Sequence, residues 1–110
     1  MSEVTYTVDD LVAGPVITDQ VKVAADTYYR GMPLKYNSGT DRYEYSATAG
    51  ETNAIWLEAT RIVAANDSRG SVIIGGEVNG NGMVDSAGAA LTITDAMISL
   101  AAIEGIYIKR

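Results

Sequence analysis

The side chains that most often do chemistry at neutral pH are missing here: none of the 110 residues is His or Cys. Their absence removes the commonest general base, the usual activator of a serine nucleophile and the usual zinc ligands. The serines therefore have no base, and Lys22 and Lys35 stand in no Ser-x-x-Lys arrangement. Carboxylates do cluster, as Asp9-Asp10 and as Asp41 with Glu44, but in segments that read as turns and exposed strand positions, where solvation is their default state. Two carboxylates acting on a sugar would need a cleft, and a chain of this length has little room for one beside its core. Asn79-Gly80-Asn81-Gly82, followed by Asp85 and Ser86, invites a cation-loop reading. The acidic spacing of an EF-hand is not met, however, and no Lys follows the glycines as a phosphate loop requires. Tyr36, Tyr43 and Tyr45 offer either a ring platform for a sugar or nucleobase or simple cross-strand packing, and packing is the better reading. These residues predict no catalytic set, no metal and no cofactor; the expected protein is not an enzyme.

Charge narrows the partners. The net charge is −6, opposite in sign to what phosphate backbones or anionic membrane surfaces attract. Neither nucleic acid nor membrane is an expected partner. The acidity is concentrated at the start, where residues 1–20 carry Glu3, Asp9, Asp10 and Asp19 with no Lys or Arg. Such a segment favours a basic or mixed partner surface, or serves only solubility. No positively charged start and no long apolar run appear, so neither a Sec signal nor a membrane span is expected.

The elements that must position these residues are mostly strands. Ten Ile and ten Val against five Leu, with ten Thr, favour strands, and 11 Gly with 2 Pro supply turns. Residues 3–8, Glu-Val-Thr-Tyr-Thr-Val, alternate as a strand does, and fit either an edge of the domain's own sheet or an arm that pairs with another chain. Gly14-Pro15 is expected to break the run, which divides the chain into an N-terminal arm over 1–20 and one β-rich domain over 21–110. Val16–Tyr29 reads as a strand. A hairpin follows, turning at Asn37-Ser38-Gly39-Thr40 and returning with Tyr43 and Tyr45 on one face. Ala54–Val63 and Ser71–Val78 read as a core hairpin around the polar turn Asn66–Gly70, with Gly75-Gly76 allowing close backbone approach. Asn79–Gly82 reads as a positive-φ Asn-Gly turn. One helix is predicted over Thr92–Glu104, with Thr92 or Thr94 as N-cap, Asp95 in the first turn and Gly105 at the C-terminal cap. It is apolar on most faces, so it packs on a sheet or at a subunit interface. Ile106–Arg110 closes as a short strand. The fold class is mainly β with one short helix, α+β.

Taken in order, these segments resemble the lambda-type head decoration proteins of tailed bacteriophages. The likeness spans nearly the whole chain and rests on Tyr28-Tyr29-Arg30-Gly31-Met32-Pro33-Leu34, the Tyr-bearing hairpin, Ala54-Ile55-Trp56-Leu57-Glu58, Gly75-Gly76-Glu77-Val78-Asn79, the small helix and Gly105-Ile106-Tyr107-Ile108-Lys109-Arg110. The resemblance implies a β-tulip-like domain with an extended N-terminal arm. It also implies a homotrimer at threefold and quasi-threefold sites on the outer surface of an expanded capsid, made in the host cytoplasm and stabilising the head against internal DNA pressure. The implied partners are the major capsid protein and other copies of the chain. The arm residues Val4, Thr5, Tyr6, Thr7 and Val8 are then the capsid-binding set, by strand addition, with Tyr6 as anchor. Two alternatives stay open: a small carbohydrate-binding β module using Tyr36, Tyr43 and Tyr45, and another small phage virion subunit from the tail tube or head–tail joint.

Overall fold

A computed structural model of the chain describes residues 11–110. Eight strands and one α-helix follow in the order β1 (Val12–Val23), β2 (Asp26–Tyr28), β3 (Pro33–Asn37), β4 (Arg42–Tyr45), β5 (Ala54–Trp56), β6 (Arg61–Val63), β7 (Ser68–Asn79), α1 (Asp95–Ile103) and β8 (Ile106–Lys109). This is a mainly β, α+β chain. Strands β1, β4, β3, β5 and β7 are successively paired, and β7 returns to β1, so five strands close on themselves. Strand β7 is the spine: its first half takes β5 on one side, its second half takes β8 there, and β1 runs along the other side. The β7–β8 pair is parallel, which requires a crossover, and α1 lies within it. Strands β2 and β6 form a separate two-stranded sheet.

Two apolar clusters fill the interior. One is aromatic, built on Tyr28, Trp56, Met32, Leu34, Val21, Val23, Val63 and Val72. The other is aliphatic, built on Leu11, Ile55, Ile73, Val78, Met83, Ala101, Ile106 and Ile108. Alternation sorts the strands accordingly: Ile106 and Ile108 are buried while Tyr107 and Lys109 face outward.

Several expectations are corrected by this arrangement. Residues 12–20, assigned above to the arm, lie in β1, paired with β7 from Val12↔Val78 to Gln20↔Ser71. The Gly14-Pro15 step does not end the strand, because an irregularity absorbs it: the register moves from Val12↔Val78 to Val16↔Gly76, leaving Pro15 where its missing N–H breaks no ladder. Gly76 permits this. Its φ is +106°, and a β-carbon there would run into the backbone of Pro15 and Val16.

Nor is Ala54–Val63 one strand. The chain leaves the main sheet beyond Trp56: Leu57 N–H still donates to Ser71 O at 3.0 Å, but the Ser71 N–H is taken at 2.5 Å by the Glu58 side chain, which also accepts the Arg61 guanidinium at 3.1 Å. Strand β6 then pairs with β2 rather than with β7. The hairpin partner of β7 is therefore β5 alone, through Ile55↔Ile73 and Trp56↔Val72. The expected Asn66–Gly70 turn is shorter, with Asp67 at φ +69° and Ser68, Arg69 and Gly70 already in β7. Gly70 answers a packing demand instead: a β-carbon there would fall on the Trp56 ring. Asn79–Gly82 is likewise no positive-φ turn; Gly80–Gly82 make one 3-10 turn and the chain does not fold back as an antiparallel neighbour.

The helix is shorter than Thr92–Glu104. Thr94 is the N-cap, its Oγ1 accepting the Met97 N–H at 3.2 Å, and Gly105 stands just past the end at φ +86°.

Candidate functional site

The chemistry-bearing residues are used locally. Tyr36 and Tyr43 face each other across β3 and β4, with ring centroids 5.3 Å apart and a 58° tilt. The Tyr36 hydroxyl donates to Asp41 Oδ1 at 2.5 Å, and Lys22 Nζ lies 2.7 Å from Asp41 Oδ2. The hydrogen bond from Lys22, then that from Tyr36, holds the Asp41 carboxyl below its usual range; the same Asp41 bond pushes the Tyr36 phenol up. Tyr43 and Tyr45 are half-buried against the aromatic cluster, and burial raises both phenols. Only Tyr36 of the three is substantially open, at 43% exposure, so the hairpin offers no broad ring platform. Tyr28 is packed deeper still: its ring stacks on Trp56 at 4.7 Å, its hydroxyl donates to Ala24 O at 2.6 Å, and burial, with Asp26 and Glu44 nearby, pushes it up to about 12.

Asp85 closes its own loop, accepting the N–H groups of Ala87 at 2.9 Å and Ala89 at 3.0 Å. Its carboxylate is occupied by backbone, as an Asx-type turn requires. Among the described residues, no three His, Cys, Asp or Glu side chains converge to hold a metal ion.

What the fold leaves open is surface. The strongly exposed large apolar side chains fall at two ends. At the aromatic end Ile62 is 78% exposed on β6. At the aliphatic end are Ile103 at 75%, Tyr107 at 53% and, on β1, Ile17 at 62%. Ile17 lies over the backbone of Gly75, beside the Gly105 carbonyl, so β1, β7 and the α1–β8 junction contribute to one face. On β7 and β8 the pairs Glu77↔Tyr107 and Asn79↔Lys109 share that outward side, and Lys109 Nζ meets Glu77 Oε1 at 2.5 Å. Arg110 ties the chain end to Asp95 and to Ile93 O.

No protein-family model matches this chain, and no curated protein matches it in sequence.

The predicted arm set, Val4, Thr5, Tyr6, Thr7 and Val8, lies outside the described residues. The structure does show where that segment joins the body. Leu11 is buried in the aliphatic cluster, and its carbonyl accepts the Asn79 N–H at 2.7 Å. From there the chain runs into β1, which among the described residues has β4 as a neighbour on its outer side at Val23.

The exposed apolar ends were not legible beforehand. Ile62 sits beside Val63, and two adjacent apolar residues in a short strand do not reveal which one faces in; only pairing with β2 decides it. For Ile103 a signal existed, because a helix apolar on most faces has more apolar surface than one sheet covers.

Proposed function

We propose that this chain is a structural capsid decoration, or cement, protein, which binds the expanded head of a tailed phage as a homotrimer at threefold and quasi-threefold sites. The order of segments that resembles the lambda-type family motivates the reading, and a mainly β body with one short helix supports it. The observation that carries it is the anchor at Leu11. A segment of alternating, acidic sequence precedes a residue that is buried in the core and hydrogen-bonded to β7, at the head of a strand whose outer edge, among the described residues, pairs at Val23 with β4. That is the mechanical layout of a tether on a rigid body.

The mechanism follows from strand addition and avidity. An extended segment such as Val4–Val8 adds to an exposed sheet edge of the major capsid protein through main-chain hydrogen bonds, with Tyr6 as the anchoring side chain. Trimerisation buries apolar surface at roughly 25 cal/mol per Å². Three weak arms on one trimer then act at high effective concentration, so neighbouring capsid proteins are bridged firmly although no single contact is strong.

Co-sedimentation with purified phage heads tests this. The chain is expected to pellet with expanded heads and not with compact procapsids. Deleting residues 1–10 is expected to abolish binding while the circular dichroism spectrum stays that of a folded chain. Full binding after the deletion would overturn the arm mechanism, and failure to bind any expanded head would overturn the decoration reading.

A further inference from the structure

Two charges stand in locally unfavourable places, and they have opposite signs. At the aromatic end, Arg69 of β7 is the direct register partner of Lys22 on β1. Like charges directly opposite across a strand pair repel. Lys22 is relieved by Asp41, but Arg69 is exposed and has no acidic partner among the described residues. Beside it, Arg61 donates to Arg69 O at 3.0 Å, tying the start of β7 to β6, the strand that carries the exposed Ile62.

At the aliphatic end, Glu104 is the C-cap of α1, whose last turn holds no basic residue. A carboxylate there meets the negative end of the helix dipole. Glu104 is exposed and takes only an amide N–H, from Asn53 at 3.0 Å. Its neighbours Ile103 and Tyr107 are two of the strongly exposed apolar side chains of that end, with Ile17 of β1 the third.

Each end thus presents an uncompensated charge near uncovered apolar surface, and each is what the other lacks. Arg69 stands at the start of β7, whereas Glu104 adjoins Gly105, whose carbonyl accepts the Gly76 N–H; the strand between them, at about 3.3 Å per residue, keeps the two charges of one chain apart. We propose that they meet between copies: the Lys22/Arg69/Ile62 end of one chain docks on the Ile103/Glu104/Tyr107 end of the next. A contact between two different patches is heterologous, and it makes a ring when its rotation closes and an open filament when it does not; a closed trimer is the product the proposed function requires. The inference deepens the oligomeric part of the proposed function by naming the surfaces through which the copies meet.

Sedimentation equilibrium of the full chain at low and high salt, with Arg69→Glu, Glu104→Arg and the double variant, tests it. Each single reversal is expected to weaken self-association by about tenfold, and the double reversal to restore it, because opposite charges again face each other. Both positions are exposed, and a cooperative thermal transition at or above the wild-type midpoint, as relief of each local repulsion requires, confirms that the variants fold. Three results would each overturn the proposal: a wild-type chain monomeric at about 1 mM, the weak limit of specific contacts; single variants that associate like wild type; or a double variant that fails to recover. Loss of association on deleting residues 1–10, without rescue by the charge swap, would assign the cationic end to the acidic N-terminal segment instead. Head co-sedimentation is a separate readout: lost shell binding with intact self-association breaks the decoration reading alone.

Discussion

The aromatic and aliphatic sides of the core, which take alternate residues of β5 and β7 and so lie on opposite faces of those strands, are held by different means. Around Trp56 and Tyr28 the packing is a matter of specific shapes: two stacked rings, a glycine kept bare beneath one of them, and a phenol donating to a backbone carbonyl. Ion pairs fringe this half, Lys22 with Asp41, Arg42 with Asp67 and Arg61 with Glu58. Around Ile106 and Ile73 the packing is aliphatic, supplied by strands on one side and by α1, and the chain entry at Leu11 is sealed into it. A small β protein can therefore fix one side of its core through directional contacts while the other takes in the chain at Leu11, the helix and an exposed apolar face.

The contrast can be broken most severely at Trp56. Trp56→Ala removes the largest fully buried side chain and is expected to cost about 4 kcal/mol, read as a fall in the urea midpoint. Ile106→Ala opens the aliphatic half and is expected to cost about 3 kcal/mol by the same measurement. If the aliphatic change proves the costlier, the aromatic stack is not the tighter half.

Alkaline titration separates the halves without mutation. The Tyr28 phenol is raised to about 12, above its ordinary value near 10, mainly because burial disfavours the phenolate. A raised folded value means the native state holds the proton more tightly. The stability it contributes is fully present below about pH 10 and is lost as pH rises from there through about 12. Hydrogen exchange is expected to show β2 and β6 amides losing protection over that window before those of β8. Tyr28→Phe should flatten that step; an unchanged profile would refute the assignment to Tyr28.

Thr94→Ala removes the N-cap of α1 and is expected to cost about 1 kcal/mol, shifting the thermal midpoint by a few degrees. Smallest of all is Tyr36→Phe. Its Asp41 partner is exposed and already paired with Lys22, so the urea midpoint is expected to stay at the wild-type value within error. A fall beyond error would show that the tyrosine hairpin bears on stability as the Trp56 stack does.

Much of this chain is written in local pattern. The Tyr36/Tyr43 hairpin, the helix with Asp95 in its first turn and Gly105 past its end, and the closing Ile106–Lys109 strand all follow from alternation, capping and turn chemistry between near neighbours. The want of His and Cys bounded the chemistry from composition alone. Tertiary structure decided the rest, because it depends on partners distant in sequence. Pro15 stays in a strand because Gly76, some sixty residues on, yields room for the irregularity. Ala54–Val63 splits because Glu58 captures the Ser71 amide. Gly70 is small for the sake of Trp56, not for a turn. Arg69 and Glu104 look ordinary in the sequence; only the register opposite Lys22 and the position at a helix end give each charge a need for a partner, since electrostatic cost is set by neighbours in space.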